Sequence, residues 1–217
     1  MKRILTILTF LLICAQLDAQ KVEPKFTFNV ELGLPVSLFN EPFDDIMQGL
    51  VNTSIYGQYS FPFHFHIGMG VRYTLWNINE FAVNNAPHGV MHTGGAFLKL
   101  GWDKFHSDRF ATDFGVKFGY TKNFFETEVS PVGAEKFRHH FDIDAFLIEP
   151  TIGLILLANE QNSYRWSLGW AIQTFGFKPQ MTGIPTDAGY EPSEFDKITQ
   201  YLIVGFGYTY YFKSKKD

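Results

Sequence analysis

The chain has 217 residues, a formal net charge of −4 and a single cysteine, which is one domain with or without a removable segment. Its acidic balance, without clustered lysine and arginine, excludes a nucleic-acid partner. Aromatic residues make up 18% of the chain and Phe alone contributes 24, yet beyond residue 19 the longest apolar run is Ile152–Ala158, far short of the roughly 18 residues that a membrane-spanning helix needs.

Residues 1–19 read as an export signal: Lys2 and Arg3 give a positive start, Ile4–Ala15 is apolar, and Leu17-Asp18-Ala19 places a small residue before Gln20. The expected organisation is a signal peptide over 1–19 and one domain over 20–217. Cys14 falls inside the signal, preceded by Ile13 where a lipoprotein acceptor wants a small residue. A mature chain without cysteine has no disulfide, no Cys nucleophile and no Cys-based metal site.

From Phe26 onward, apolar residues alternate with small or polar ones in eight successive runs. In the first, Phe26, Phe28, Val30, Leu32 and Leu34 oppose Thr27, Asn29, Glu31 and Gly33. The second sets Val51, Thr53, Ile55, Tyr59 and Phe61 against Asn52, Ser54, Tyr56, Gln58 and Ser60. The third runs from Phe63 to Leu75, with His64, His66, Gly68, Gly70, Arg72 and Thr74 on its other face. Ala96 to Trp102 oppose Phe97, Lys99 and Gly101, and Phe110 to Tyr120 oppose Asp113, Gly115, Lys117 and Gly119. The sixth run, Phe146 to Leu156, alternates least, because Leu147, Ile155 and Leu157 sit with Glu149, Thr151 and Gly153. Tyr164 to Ile172 oppose Arg165, Ser167 and Gly169, and Leu202 to Phe212 oppose Gly205, Gly207 and Thr209.

A period of two marks a strand with one face toward something apolar. The connections, 35–50, 62, 77–92, 103–109, 122–143, 158–163 and 175–198, alternate long and short without exception. Short turns on one rim and long loops on the other is the layout of outer-membrane barrels. The predicted fold is therefore all-β: an eight-stranded antiparallel up-and-down transmembrane β-barrel in the outer membrane, with short periplasmic turns and long extracellular loops. Alternation alone would also permit a soluble, lipocalin-like barrel with the apolar face inward. Volume decides against it, since eight strands leave room inside only for packed side chains. The bulky face goes outward and the small one inward. Tyr59, Phe61, Phe63, Trp102, Phe110, Tyr164, Trp166, Tyr210 and Phe212 then gather near the periplasmic rim as an aromatic girdle, with Tyr73 and Tyr120 toward the outer one.

The inward face carries the charges Glu31, Arg72, Lys99, Asp113, Lys117, Glu149 and Arg165. Burying a charge unpaired costs several kcal/mol, so the expectation is a self-paired network that plugs the lumen.

The final strand, Gly207-Tyr208-Thr209-Tyr210-Tyr211-Phe212, resembles the signal by which barrel-assembly machinery recognises its substrates, although Lys213–Asp217 follows the Phe here. Together with Glu149-Pro150-Thr151-Ile152-Gly153, the Gly-rich strand interiors and the Gln20 start, it makes the mature chain resemble the PorT-like outer-membrane barrels of Bacteroidota. That resemblance implies an eight-stranded barrel and, for some members, a part in protein secretion.

Other chemistry is weaker. His64 and His66 share a face at a spacing that could hold a metal, but no third ligand stands nearby in sequence. His139, His140, Asp142 and Asp144 cluster at the top of the sixth run, where a surface cation site competes with a solvated loop. A lipid A-modifying enzyme needs a base beside a hydroxyl nucleophile. His92 is the plausible base, yet Gly94 occupies the position where deacylases place Ser, and His106-Ser107 lies in a short turn. Residues 35–50 hold Phe39, Phe43, Ile46, Met47 and Leu50 among acids, the pattern of a short amphipathic helix. The reading is a non-enzymatic outer-membrane barrel with no metal or cofactor. Its expected partners are membrane lipid and lipopolysaccharide, the assembly machinery, and envelope or secretion proteins.

Overall fold

A computed structural model describes residues 25–79, 88–107, 109–129, 135–184, 188–195 and 197–212. The expected signal segment, Cys14 and the tail from Lys213 lie outside them. The strands are β1 (Lys25–Leu38), β2 (Met47–Ser60), β3 (Phe65–Ile78), β4 (His88–Phe105), β5 (Phe110–Val129), β6 (Phe137–Leu157), β7 (Asn162–Gly176) and β8 (Ile198–Tyr211), with one helix, α1 (Glu41–Ile46), between β1 and β2. Each strand pairs antiparallel with the next. β8 returns to β1, from Thr27↔Tyr211 to Leu38↔Gln200, and closes the barrel.

The short turns use side chains to satisfy their backbone. In the β4–β5 turn Ser107 Oγ accepts from Phe110 N at 3.1 Å, and in the β6–β7 turn Asn159 Oδ1 accepts from Gln161 N at 2.9 Å. The β2–β3 turn is closed by His64 N donating to the Phe61 carbonyl at 3.0 Å, with His64 at φ 69.

Outward positions are bulky and exposed from the short-turn rim upward. On β1 this face runs from Phe26 to Val36, on β4 from Trp102 to Leu98, and on β5 from Phe110 to Tyr120. Ten residues of strand tilted by roughly 45° rise about 23 Å. The aromatics named from the sequence lie at the short-turn end of this belt. Tyr59, Phe61 and Phe63 surround the β2–β3 turn, with ring centroids 5.0 and 5.4 Å apart. Phe212 contacts Tyr210 at 5.1 Å and Phe26 at 5.5 Å. Trp102 and Phe110 are exposed beside the β4–β5 turn, while Tyr164 and Trp166 flank Phe206.

Three features depart from the sequence reading. First, most of 122–143 is strand rather than loop: β5 and β6 pair continuously up to Val129↔Phe137. Above Tyr120 the outer face turns polar, with Lys122, Glu126, Asp142 and Asp144, so the hydrophobic alternation disappears while the ladder continues. Second, the long-loop half of the lumen is not lined by small residues. Trp76, Met91, Phe125, Leu147 and Tyr201 point inward and are buried. They form the bed for α1 and for the segment after β7. Phe43 of α1 packs edge-on against Trp76 at 4.8 Å and meets Phe177 at 5.4 Å. The expected amphipathic helix is present, six residues long, and turned into the mouth of the barrel. Asn40 caps it, accepting from Phe43 N at 3.0 Å and donating to the Lys197 carbonyl at 2.9 Å. The Tyr190 hydroxyl latches onto Asp45 Oδ2 at 3.0 Å, and burial together with that carboxylate raises the phenol above its usual pKa.

Third, two strand prolines interrupt ladders, because a prolyl nitrogen has no proton to donate. The β1–β2 pairing ends at Gly33↔Asn52, just short of Pro35. The β6–β7 pairing skips from Ile148↔Ile172 to Thr151↔Gly169, across Glu149 and Pro150. Beside Pro35 the strands still touch: a Cβ at Gly49 would fall 2.0 Å from the Pro35 carbonyl oxygen. Gly49→Ala is therefore expected to destabilise the barrel mouth, seen as a lower melting temperature in detergent.

Candidate functional site

The seven inward charges meet in the short-turn half of the lumen as one chain of alternating sign. Lys99 Nζ and Arg165 Nη1 each lie 3.0 Å from Asp113 Oδ2. The same Arg165 nitrogen is 3.2 Å from Glu31 Oε1, and Lys117 Nζ is 2.9 Å from Glu31 Oε2. Lys117 also reaches Glu149 Oε1 at 3.0 Å, and Glu149 Oε2 accepts from Arg72. All seven side chains are buried. They come from β1, β3, β4, β5, β6 and β7, so the network ties together strands that do not pair.

Two tyrosines from the remaining strands complete it. Tyr56 of β2 donates to Glu31 Oε1 at 2.6 Å and accepts from Arg165 at 2.9 Å. Its ring faces Lys99, with Nζ 5.3 Å from the centroid. Tyr201 of β8 accepts from Arg72 at 3.2 Å and from Gln173 at 2.9 Å. Above Tyr201 begins the apolar plug. The void left among these charges is about 10 Å³, room for a single water at most.

The sequence reading supplied four cations and three anions. The fourth acid is Asp103, which the sequence pattern leaves in the connection 103–109. β4 runs on to Phe105, so Asp103 is the inward position after Lys99 and Gly101, and it is buried. Continuing the alternation past Trp102 would have found it. Asp103 joins the network through His66, whose side chain is wholly buried between the two aspartates. His64 does not join: it lies in the turn, its ring 6.3 Å from Trp102 and 5.9 Å from Phe105.

The other candidates are placed differently. The pleat splits the His139 cluster: His140, Asp142 and Asp144 are exposed on one face of β6, and His139 is half-buried on the other. Asp142 is taken by Lys122 at 2.8 Å. On the outer face, His92 gains a hydroxyl that the sequence did not offer. Tyr73 of β3 places its Oη 2.6 Å from His92 Nδ1. A Cβ at Gly94 would meet nothing within 4 Å, so that outward position is open. At the long-loop rim, where β1 and β2 part, a cavity of about 480 Å³ lies among Pro35, Ser37, Asp44, Gln48 and Asn79.

No family model matches the sequence and no curated protein matches it. Among solved structures, Neisserial surface protein A is similar, with a TM-score of 0.51 and 9% identity over 86% of this chain and 97% of that one. Ail, the attachment invasion locus protein of Yersinia pestis, gives 0.47 and 10% over 88% of this chain and 100% of the other. Outer membrane protein OprG of Pseudomonas aeruginosa gives 0.44 and 10% over 90% and 99%. At these identities the likeness to the Neisserial protein is one of fold: a closed, antiparallel eight-stranded barrel.

Proposed function

We propose that this chain is an outer-membrane barrel that neither conducts ions nor catalyses a reaction, and that it acts through its extracellular rim as an envelope-structural or interaction protein. The belt carries the reading: bulky apolar side chains face outward on every strand, and on β1 and β5 they cover roughly ten residues, about 23 Å, close to the height of the apolar band of such barrels. A soluble protein would not leave Phe114, Phe118, Leu98, Met69 and Trp166 exposed together. The charge network and the apolar plug, stacked in series, support a closed lumen. The strand ending Gly207–Phe212 would present the chain to the assembly machinery, and lipopolysaccharide would meet the wall at the level of Tyr73, His92 and Lys122. The resemblance to PorT-like barrels adds secretion proteins as the partner class.

The deciding experiment is gel mobility of membrane-extracted protein, boiled and unboiled. A heat-dependent shift in the outer-membrane fraction is expected, because a closed barrel satisfies its ladder internally and stays folded in detergent. Recovery from the soluble periplasm without a shift would sink the reading and favour a lipocalin-like carrier. In planar bilayers the purified protein is expected to give no conductance steps. Deleting the gene is expected to alter a set of secreted proteins and leave lipid A acyl chains unchanged. A changed acyl pattern that His92→Ala reproduces would replace this reading with a lipid A enzyme.

A further inference from the structure

Asp103 and Asp113 face each other directly across the β4–β5 ladder. Their side chains are only 11% and 1% exposed. Like charges set opposite on neighbouring strands repel, and burial removes the water that would screen them. Asp113 is answered by Lys99 and Arg165, both on its Oδ2. Among the described ion pairs, Asp103 has only His66. That ring comes from β3, is completely buried, and turns Nδ1 toward Asp103 Oδ2 and Nε2 toward Asp113 Oδ1, each at 3.3 Å.

The separations separate two explanations. A protonated imidazole clamped by two carboxylates would make charge-assisted bonds of about 2.7–2.9 Å. Here neither ring nitrogen makes a hydrogen bond among the described residues, nor does Asp103 Oδ1 or Asp113 Oδ1. Four buried polar atoms around one ring without a hydrogen-bond partner call for an occupant. Ligands held about 2.0–2.1 Å from a tetrahedral ion stand roughly 3.3–3.4 Å apart; an ion takes one ring nitrogen, and the 3.3 Å from that nitrogen to the carboxylate it faces matches one such edge. One ring nitrogen and one oxygen from each aspartate lie within 4.8 Å of one another, so the aspartate beside the other ring nitrogen would swing in by up to roughly 1.5 Å to close the three on a single ion.

The surroundings are built for it. Gly101, paired with His66, leaves the space the ring fills: a Cβ there would stand 2.2 Å from Nε2. Lys99 and Arg165 hold the far oxygen of Asp113, the kind of outer contact that orients a ligating carboxylate. Asp103 retains some exposure and gives an ion its way in from the short-turn rim.

We propose that His66, Asp103 and Asp113 bind one divalent transition-metal ion and thereby staple β3, β4 and β5 at the short-turn end of the barrel. One imidazole with two carboxylates suits Zn²⁺ or Mn²⁺, whereas Ca²⁺ takes oxygen ligands alone. A water would complete the coordination. The proposal stands whether or not the barrel has the cellular role proposed above.

The test uses the full folded chain without a histidine tag, stripped with chelator and titrated with Zn²⁺ and with Mn²⁺ by calorimetry at pH 7.5. One tight site per chain is expected for at least one of the two ions, and that ion is expected to raise the temperature of the gel-mobility transition. Asp103→Asn and His66→Gln are each expected to weaken binding by about 100-fold or more. His140→Ala, on the exposed face of β6, is expected to leave it unchanged. Asp103→Asn keeps the side-chain shape and breaks no Lys or Arg pair among the described residues, and its boiled and unboiled mobilities check that it folds. Should it fail to fold, His66→Gln carries the comparison. Absence of tight binding by either ion to the folded chain would overturn the proposal. So would binding that survives both ligand variants, which would assign the ion to surface histidines.

Discussion

Replacing Arg165 by methionine is expected to be among the most damaging single changes in the barrel, lowering stability by about 3–5 kcal/mol. One Nη1 atom meets Asp113 Oδ2 at 3.0 Å, Glu31 Oε1 at 3.2 Å and the Tyr56 hydroxyl at 2.9 Å. Methionine fills much the same volume, so the cost comes from charge rather than packing. Glu31 keeps Lys117 and Asp113 keeps Lys99, but the alternating chain is broken in its middle and two buried carboxylates are left under-compensated. Guanidinium unfolding in detergent would report the change as a lower midpoint at similar slope. The contrast is Lys122→Met. That residue's pair with Asp142 is largely solvated, the two side chains being 42% and 58% exposed, and the midpoint is expected to stay where it is. Equal midpoints for Arg165→Met and wild type would mean that the network does not support the fold. Combining Arg165→Met with Asp113→Asn should cost less than the two changes added separately, since they remove the same contact.

Trp76→Ala is expected to cost a comparable 3–5 kcal/mol or so, by a different route. Trp76 is fully buried in the long-loop half of the lumen, edge-on to Phe43 at 4.8 Å and to Tyr201 at 5.0 Å. Truncation empties the seat on which α1 rests. A six-residue helix has no stability of its own in water. The expected result is therefore local as well as global: the segment from Phe39 to Ile46 becomes accessible to protease in the variant and is protected in wild type. Resistance to cleavage in the variant would show that the Asn40 cap and the Tyr190–Asp45 latch are enough to hold the helix. The charge network below the plug is intact in Trp76→Ala, so the variant is still expected to be non-conducting.

Much of the architecture is local and so was legible. The pleat sends successive side chains to opposite faces, and that period of two assigns inward and outward residues from sequence order alone. It was enough to find the strands, to place Phe110 to Tyr120 outside, and to put Glu31, Arg72, Lys99, Asp113, Lys117, Glu149 and Arg165 inside. Antiparallel closure followed from the alternating connection lengths. The reading failed where hydrophobicity stopped reporting the pleat. Above Tyr120 the outer face of the β5–β6 hairpin is mostly polar, and near the mouth the inner faces of β3, β4 and β5 carry large apolar residues, because a helix from the same chain replaces water inside.

What the sequence could not decide is which inward side chains meet. Glu31 and Lys117 are 86 residues apart, and Arg72 and Glu149 are 77. Their contact depends on the stagger between strands, which a closed sheet fixes as a whole and no single strand contains. The same stagger brings His66 between Asp103 and Asp113, whereas the sequence reading pairs it with His64 and finds no further ligand. By itself the sequence determined the inside and the outside of the wall, since that is a matter of alternate bonds along one chain. The closed barrel alone determined the levels within it, and so which charges, rings and ligands face one another.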